Sequence, residues 1–265
     1  MSFEEILSAS KLLETASVDS SWGQGRTLFG GLSAALAFNN VRHNIDSERP
    51  LRSLSANFSG QVLADYPFTL AHQILSDGKS ISQANGQVIQ NERIVTQVCA
   101  CFGIERESNI EVNSPKIVLP RLGSNDRLNY MKGLTPEFVQ HFEFEYSKGQ
   151  LPFSNSNNNE LAGWVRFKEM GAEFTEAHLL ALIDSWPPTV LQKLKSFAPC
   201  ATVSWNIEIV QPLSLLKQPL QSGDWLYYDA EIKQAHNGYA HTEAKIYTPD
   251  GILLALSRQL VAVYA

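Results

Sequence analysis

Apolar residues are distributed along the chain in two copies of one pattern. In the first half, an apolar helical run over Leu28–Val41 precedes four strand-like segments, 52–62, 67–76, 80–90 and 93–103. In the second half, a helical run over about 175–194 precedes the segments 201–210, 225–233, 239–248 and 252–264. Turn signals recur at an offset of 158 residues, as Gly78-Lys79-Ser80 and then His236-Asn237-Gly238. The pattern predicts a helix followed by an antiparallel meander, formed twice.

Both predicted helices are unusually apolar. The first, from Leu28 to Phe38, has no polar stripe, so it must be buried on every side, as when a curved antiparallel sheet wraps around it. The second is apolar except at Asp184 and Ser185. Pro187 removes a helical N–H group, and we therefore expect this helix to kink or restart there.

A polar, proline-containing stretch over 104–135 separates the two halves and is typical of a linker. Segments 141–146 and 161–168 are predicted strands that open the second half. We therefore predict an N-terminal domain over 1–106, a linker over 107–135 and a C-terminal domain over 136–265.

Composition narrows the class of protein. The 265 residues are 44% hydrophobic and 18% charged, as in an ordinary globular chain, and the net charge of −6 argues against a nucleic-acid partner. Three cysteines, Cys99, Cys101 and Cys200, are too few for a disulfide framework and are expected to be reduced core thiols. The acidic N-terminus lacks the order of a signal peptide, and no apolar run could cross a membrane. We expect a soluble cytoplasmic protein.

Asp184 is the strongest candidate for chemistry. A carboxylate in the middle of an apolar helix is costly to bury unless it is paired or hydrogen-bonded. Such groups often have raised pKa values and are concentrated at active sites. A structural role is the alternative, because Asp is also a good N-cap for the segment Trp186-Pro187-Pro188.

Three other positions are weaker candidates. Gln259 falls on the apolar face of the last strand, where its amide needs hydrogen-bond partners that neighbouring backbone could also supply. Simple alternation places Thr202 on the solvent side with Ser204, although a β-bulge would turn it inward. Gly30-Gly31 could present free backbone N–H groups to an oxyanion, or could serve only close packing.

Other chemistries lack their context. Ser33, Asp184 and His241 follow the order of a hydrolase triad, but only 32 residues precede Ser33, too few for the strands that such a nucleophile requires. His236 and His241 have no cysteine or carboxylate at ligand spacing, so no metal site is predicted. Phosphate-binding loops are also missing, and we expect no cofactor.

These segments together resemble the double-hotdog acyl-CoA thioesterases of the bacterial thioesterase II type. The resemblance covers most of the chain and includes Phe29-Gly30-Gly31, Asp77-Gly78-Lys79-Ser80, Asp184, Ala201-Thr202 and Tyr247-Thr248-Pro249-Asp250-Gly251. It implies an α+β fold of two tandem hotdog domains whose antiparallel sheets join edge to edge, with both helices on the concave side. It also implies an acyl-CoA substrate, a place in fatty acid metabolism and a homodimer.

The resemblance further implies roles for individual residues. The family's site combines an Asp on the second helix, a Thr at the start of the next strand and a Gln in the last strand, which correspond here to Asp184, Thr202 and Gln259. Asp184 would activate a water that Thr202 and Gln259 orient, and the Gly30-Gly31 turn would hold the oxyanion. One site per chain is expected, because the first helix lacks an acid and Cys101 stands opposite Gln259 at the 158-residue offset.

Two departures leave the acyl-group preference open. Ser204 stands where the best-known members often carry Asp, and 53–57 lacks a His that they often have. Two alternative functions also stay open. A hotdog hydratase or dehydratase would need a His beside an acid, and a non-catalytic acyl-CoA-binding protein would need no site at all.

Overall fold

The computed structural model describes residues 1–12, 15–123, 126–170 and 173–265. These residues form three α-helices: α1 (Phe3–Leu12), α2 (Gly30–Arg42) and α3 (Glu176–Asp184). The strands in the first half are β1 (Thr15–Ala16), β2 (Gly23–Gln24), β3 (Thr27–Leu28), β4 (Leu51–Phe58), β5 (Phe68–Asp77), β6 (Ile81–Gln90) and β7 (Arg93–Gly103). Those that follow are β8 (Arg127–Leu128), β9 (Phe142–Lys148), β10 (Glu160–Phe167), β11 (Cys200–Ile209), β12 (Leu226–His236), β13 (Tyr239–Tyr247) and β14 (Leu253–Val263).

All strands except β2 and β3 belong to one antiparallel sheet. Its order is β1-β5-β6-β7-β4-β11-β14-β13-β12-β10-β9-β8. The two halves meet at the β4–β11 pair, where Trp205 lies opposite Ala56. The predicted continuous sheet, formed by two meanders joined edge to edge, is therefore confirmed.

The internal repeat extends to the irregularities of the sheet. The β5–β6 pair has a register shift between Ile74 and Ser76, and the β12–β13 pair has one between Ile232 and Gln234, 158 residues later. The hairpin turns agree as well, since Asn91 and Asn237 both have a φ of 52°. Such a φ belongs to the tight turns that match the twist of paired strands, so the predicted hairpins are confirmed.

Helix α2 is buried almost completely, as its composition predicts. It packs against β5, β6 and β7 and against α3. The approach to β6 requires Gly86, because a Cβ there would lie 2.3 Å from the Ala37 carbonyl oxygen. The absence of a side chain on the strand thus allows the helix backbone to lie directly on the sheet.

Helix α3 is shorter than the sequence pattern indicates. It ends at Asp184, and a 3-10 helix over Thr189–Lys193 follows Pro187 and Pro188. The predicted restart at Pro187 is confirmed, because a proline disfavours helical backbone at the residue before it. The prediction that Asp184 lies in the middle of a helix is wrong, since it is the last residue of α3.

Other boundaries also differ from expectation. Strand β4 ends at Phe58, so the predicted segment 52–62 is too long. The predicted linker includes residues 124–125, which lie outside the described part; before them, Ile117, Leu119 and Leu122 pack on the outer face of the second half of the sheet. The three cysteines are free but partly exposed, which corrects the prediction of core thiols. Within the described ranges, no helix is long and apolar enough to cross a membrane.

Candidate functional site

The carboxylate of Asp184 lies where α3, α2 and β14 meet. Gln259, on β14, donates a 2.7 Å hydrogen bond from Nε2 to Asp184 Oδ1. The backbone N–H of Gly31, in the first turn of α2, donates a second hydrogen bond to the same carboxylate. Helix α2 starts at Phe29 without a side-chain cap of its own. Asp184 therefore supplies, from another helix, the acceptor that an N-cap side chain normally provides.

Two glycines allow this close approach. A Cβ on Gly30 would lie 2.9 Å from Asp184 Oδ2, and one on Gly31 would lie 2.8 Å from Asp184 Cβ and 2.6 Å from the Phe29 ring. Any larger residue would push α2 away from the carboxylate. The packing interpretation of Gly30-Gly31 is thus supported by the structure, and the Gly31 N–H is directed at Asp184. Among the described residues, the Gly30 N–H has no hydrogen-bond acceptor.

Burial raises the pKa of Asp184 from 3.8 to about 7. The hydrogen bonds from Gln259 and Gly31 oppose this rise, because they favour the charged carboxylate. The side chain nevertheless keeps part of its surface accessible to solvent. This arrangement gives a carboxyl group that gains and loses its proton near neutral pH at a position that water can reach.

A β-bulge reverses the predicted orientation of Thr202. The β11–β14 register shifts between Thr202 and Ser204, which leaves Val203 as the extra residue. Thr202 consequently pairs with Val261, two residues from Gln259 on the same strand face. Its placement on the solvent side by simple alternation is wrong, and the bulge that could turn it inward is present.

Thr202 and Gln259 thus share the face of the sheet that meets the helices. Among the described residues, however, the Thr202 hydroxyl makes no hydrogen bond with Asp184 or Gln259. The structure brings together Asp184, Gln259 and the α2 N-terminus and leaves Thr202 beside them.

Sequence reasoning missed the aromatic side chains beside Asp184. Tyr228, on β12, is 5% exposed, and both its burial and the nearby Asp184 charge raise its pKa. Its ring stacks on Trp186 with centroids 5.4 Å apart. Strand alternation could have found Tyr228, since it falls on the face that also carries Ala230 and Ile232.

The histidine required by a hydratase is not near Asp184 in the described structure. His178, on the same helix, is committed elsewhere: its Nδ1 accepts from the Thr175 backbone N–H, and its Nε2 lies 2.8 Å from Glu4 Oε1. Burial lowers the pKa of His178 to about 4, so this imidazole is neutral. The hydratase alternative therefore has no supporting geometry.

Comparison with protein-family models assigns both halves of the chain. The model of the acyl-CoA thioesterase N-terminal domain matches residues 18–103, and that of the C-terminal domain matches residues 120–263. The chain belongs to the acyl-CoA thioesterase family. It is accordingly a thioester hydrolase, and its family implies an acyl-CoA substrate. Among curated protein sequences, none matched it.

Solved structures confirm the hotdog architecture of this thioesterase. A conserved hot dog fold protein from Alicyclobacillus acidocaldarius superposes with a TM-score of 0.81 at 23% identity, covering 95% of this chain and 92% of that one. A putative thioesterase II from Thermobifida fusca gives 0.80 at 17%, with coverages of 99% and 97%. The acyl-CoA thioesterase II TesB2 from Mycobacterium marinum gives 0.71 at 18%, with coverages of 100% and 99%. At these identities the likeness shows the fold.

The first half of this thioesterase has apolar residues at the corresponding sheet positions. Gln259 pairs with Trp205 and Thr242, and the equivalent pairing in the first half joins Ala100 to Leu54 and Ala84. Ala100, rather than the predicted Cys101, is therefore the counterpart of Gln259.

The counterpart of Thr202 is apolar as well. A register shift between Leu51 and Ser53 repeats the bulge at Val203, so Leu51 corresponds to Thr202. Leu51 is 1% exposed, Ala100 is fully buried and α2 contains no acid. The Asp184 arrangement thus has no equivalent in the first half.

Proposed function

We propose that this thioesterase hydrolyses acyl-CoA through a water that Asp184 activates, with Gln259 and Thr202 orienting that water. The observation that carries the proposal is the carboxyl group itself. It is held by Gln259 and by the α2 N-terminus, it is reachable by solvent, and its pKa of about 7 suits a general base at neutral pH.

The proposed reaction needs no covalent enzyme intermediate. Water attacks the thioester carbonyl carbon while one of its protons passes to Asp184. The tetrahedral intermediate then collapses, the C–S bond breaks, and the CoA thiolate leaves and takes up the proton. The products are a free acid and CoA, and the carboxylate of Asp184 is restored.

Gln259 is suited to fix the geometry of the attack. Its Nε2 is used by Asp184 Oδ1, so its Oε1 is left to accept a hydrogen bond from the attacking water. The water would then be held between the amide oxygen and the carboxylate. Such orientation converts encounters into near-attack geometries.

Gly30 and Thr202 complete the proposal. The Gly30 N–H is the donor left free at the start of α2, where the helix dipole also favours negative charge, and we assign it to the developing oxyanion. We assign the Thr202 hydroxyl to the water, since it shares a face with Gln259. Thr202→Ala should consequently lower turnover less than loss of Asp184 does.

We also propose a homodimer in the cytoplasm with a role in fatty acid metabolism. The free cysteines support a reducing compartment, and symmetric self-association is common among soluble enzymes. Light scattering that gives a single species of about 30 kDa, the mass of one chain, would remove the dimer.

A panel of acyl-CoA thioesters assayed with a chromogenic thiol reagent tests the proposed activity. We expect thiol release that is proportional to enzyme concentration for at least one acyl class. Binding of acyl-CoA without thiol release across straight, branched and aromatic acyl groups would favour the non-catalytic alternative.

A further inference from the structure

Three buried polar atoms close to Asp184 in the fold have no hydrogen-bond partner among the described residues. They are Trp186 Nε1, the Tyr146 hydroxyl and Thr189 Oγ1. The side chains are 4%, 7% and 1% exposed, respectively. Native proteins rarely leave buried polar groups unpaired, and each exception calls for a water, an ion or a ligand.

The three side chains are neighbours in the structure. Trp186 follows Asp184 by two residues, and Thr189 opens the 3-10 helix after Pro188. The Trp186 and Tyr146 rings lie edge to face with centroids 5.2 Å apart. All three therefore surround the turn that carries the Asp184 carboxylate.

The Trp186 ring is held in a defined position. It lies over Gly163, where a Cβ would come within 2.8 Å of the ring, and between Tyr146 and Tyr228 on the flanking strands. It stacks on Tyr228 at an interplanar angle of 12° and meets Phe144 edge-on at 5.2 Å. The indole N–H is accordingly presented by a rigid support and is not free to turn towards another acceptor.

The chemistry of the three atoms specifies what they would bind. The indole N–H can only donate, and burial raises the pKa of Tyr146, so its neutral hydroxyl also donates. Thr189 adds a third hydroxyl. These are donors for an oxygen acceptor, but no Lys or Arg belongs to the group, and the nearby Asp184 would repel an anion. The complementary group is an uncharged hydroxyl or carbonyl oxygen.

We propose that Trp186, Tyr146 and Thr189 bind an uncharged oxygen substituent on the acyl chain, so that the preferred substrates are hydroxyacyl- or oxoacyl-CoA thioesters. This inference rests on the proposed function, because it places the acyl chain beside Asp184. The three residues act in substrate selection and not in the hydrolytic step.

Non-hydrolysable thioethers test binding independently of catalysis. Isothermal calorimetry would compare S-octyl-CoA with its 3-, 5- and 7-hydroxyoctyl analogues. At least one hydroxyl isomer should bind roughly tenfold or more tightly than S-octyl-CoA, as expected for a buried oxygen that gains donors. In the variants Tyr146→Phe, Thr189→Val and Trp186→Phe, separately and combined, this ratio should fall towards one.

Tyr227→Phe is the matched control, since Tyr227 is a buried neighbour of Tyr228 that packs with Trp164 on the opposite sheet face. It should leave the hydroxyl preference unchanged. Equal binding of all four thioethers by the wild-type protein would overturn the proposal and indicate that the three atoms bind water only. A preference that survives the combined variant would overturn it as well. Tight, selective binding without hydrolysis of any acyl-CoA would contradict the proposed function instead.

Discussion

Gln259 and Asp184 are 75 residues apart in the chain and are joined by a 2.7 Å hydrogen bond from the amide Nε2 to the carboxylate Oδ1. The bond connects the last long strand to the end of α3. It opposes the effect of burial on Asp184, because it stabilises the ionised form. The contact therefore sets both the position and the proton affinity of the proposed base.

The first prediction concerns the pH dependence of hydrolysis. Asp184 must be ionised to accept a proton, so kcat/KM should rise with pH and level off above a midpoint near 7. The measurement is kcat/KM for one acyl-CoA between pH 5 and 9. A midpoint near 4 would show that burial does not raise the pKa of the working group.

The stability of the fold should show the same group with the opposite trend. The folded pKa of Asp184 is about 7 against 3.8 when unfolded, so its protonated form is favoured in the native state. Its contribution is fully present below the unfolded pKa and is lost as pH rises through the folded pKa, by at most about 4 kcal/mol.

Asp184→Asn removes this titration. Its free energy of unfolding relative to wild type should therefore increase between pH 5 and pH 8.5, as measured with a chemical denaturant at both values. A difference that stays the same at the two pH values would contradict the assigned pKa.

Gln259→Ala should affect both rate and titration. Losing the amide removes a hydrogen bond that favours the carboxylate and leaves the water less well placed. We expect the midpoint of the pH profile to move upward and kcat to fall roughly 10–100-fold, less than for loss of the base. Gln97→Ala on β7 is a suitable control, because this partly buried glutamine lies in the first half of the sheet. An unchanged midpoint for Gln259→Ala would dissociate the amide from Asp184.

Gly31→Ala should separate α2 from Asp184. The added Cβ would lie 2.6 Å from the Phe29 ring and 2.8 Å from Asp184 Cβ, so the helix must shift. Overpacking of this kind costs about 1–3 kcal/mol of stability, and the lost N–H contact should raise the pH midpoint of activity. Gly103→Ala, whose Cβ would meet Arg52 Cγ at 3.4 Å, serves as the comparison and should do neither.

Much of the fold follows from local patterning. The two apolar helices, the hairpin turns and the 158-residue repeat are readable from the sequence because each depends on neighbours in the chain. Asp184 and Gln259 were found for the same reason, as polar residues on apolar faces. Their hydrogen bond and the role of Gly31 as a donor to Asp184 depend on how α2 and α3 pack, which periodicity does not contain.

Two positions show where simple counting fails. Thr202 was placed on the wrong face because Val203 is an extra residue in the strand, as Arg52 is in the first half. The counterpart of Gln259 moved from Cys101 to Ala100 because the β13–β14 turn is one residue longer between paired positions than the β6–β7 turn. Bulges and turn lengths are set by sheet geometry, and no local residue type marked either of them.

The central claim is that Asp184 is the general base, and Asp184→Asn tests it most directly. This variant keeps the size of the side chain and an oxygen that can accept from Gln259 or Gly31, but it cannot take a proton from water. Asp229→Asn is the matched control, because Asp229 lies next to Tyr228 on β12 and approaches Lys148 instead.

The measurement is turnover per folded molecule, with folding checked by circular dichroism and thermal unfolding on the same preparations. We predict that Asp184→Asn lowers kcat by roughly 10²–10⁴-fold with little change in acyl-CoA binding, while Asp229→Asn stays close to wild type. Wild-type turnover in a folded Asp184→Asn protein would contradict the mechanism, even though the fold and the family would stand.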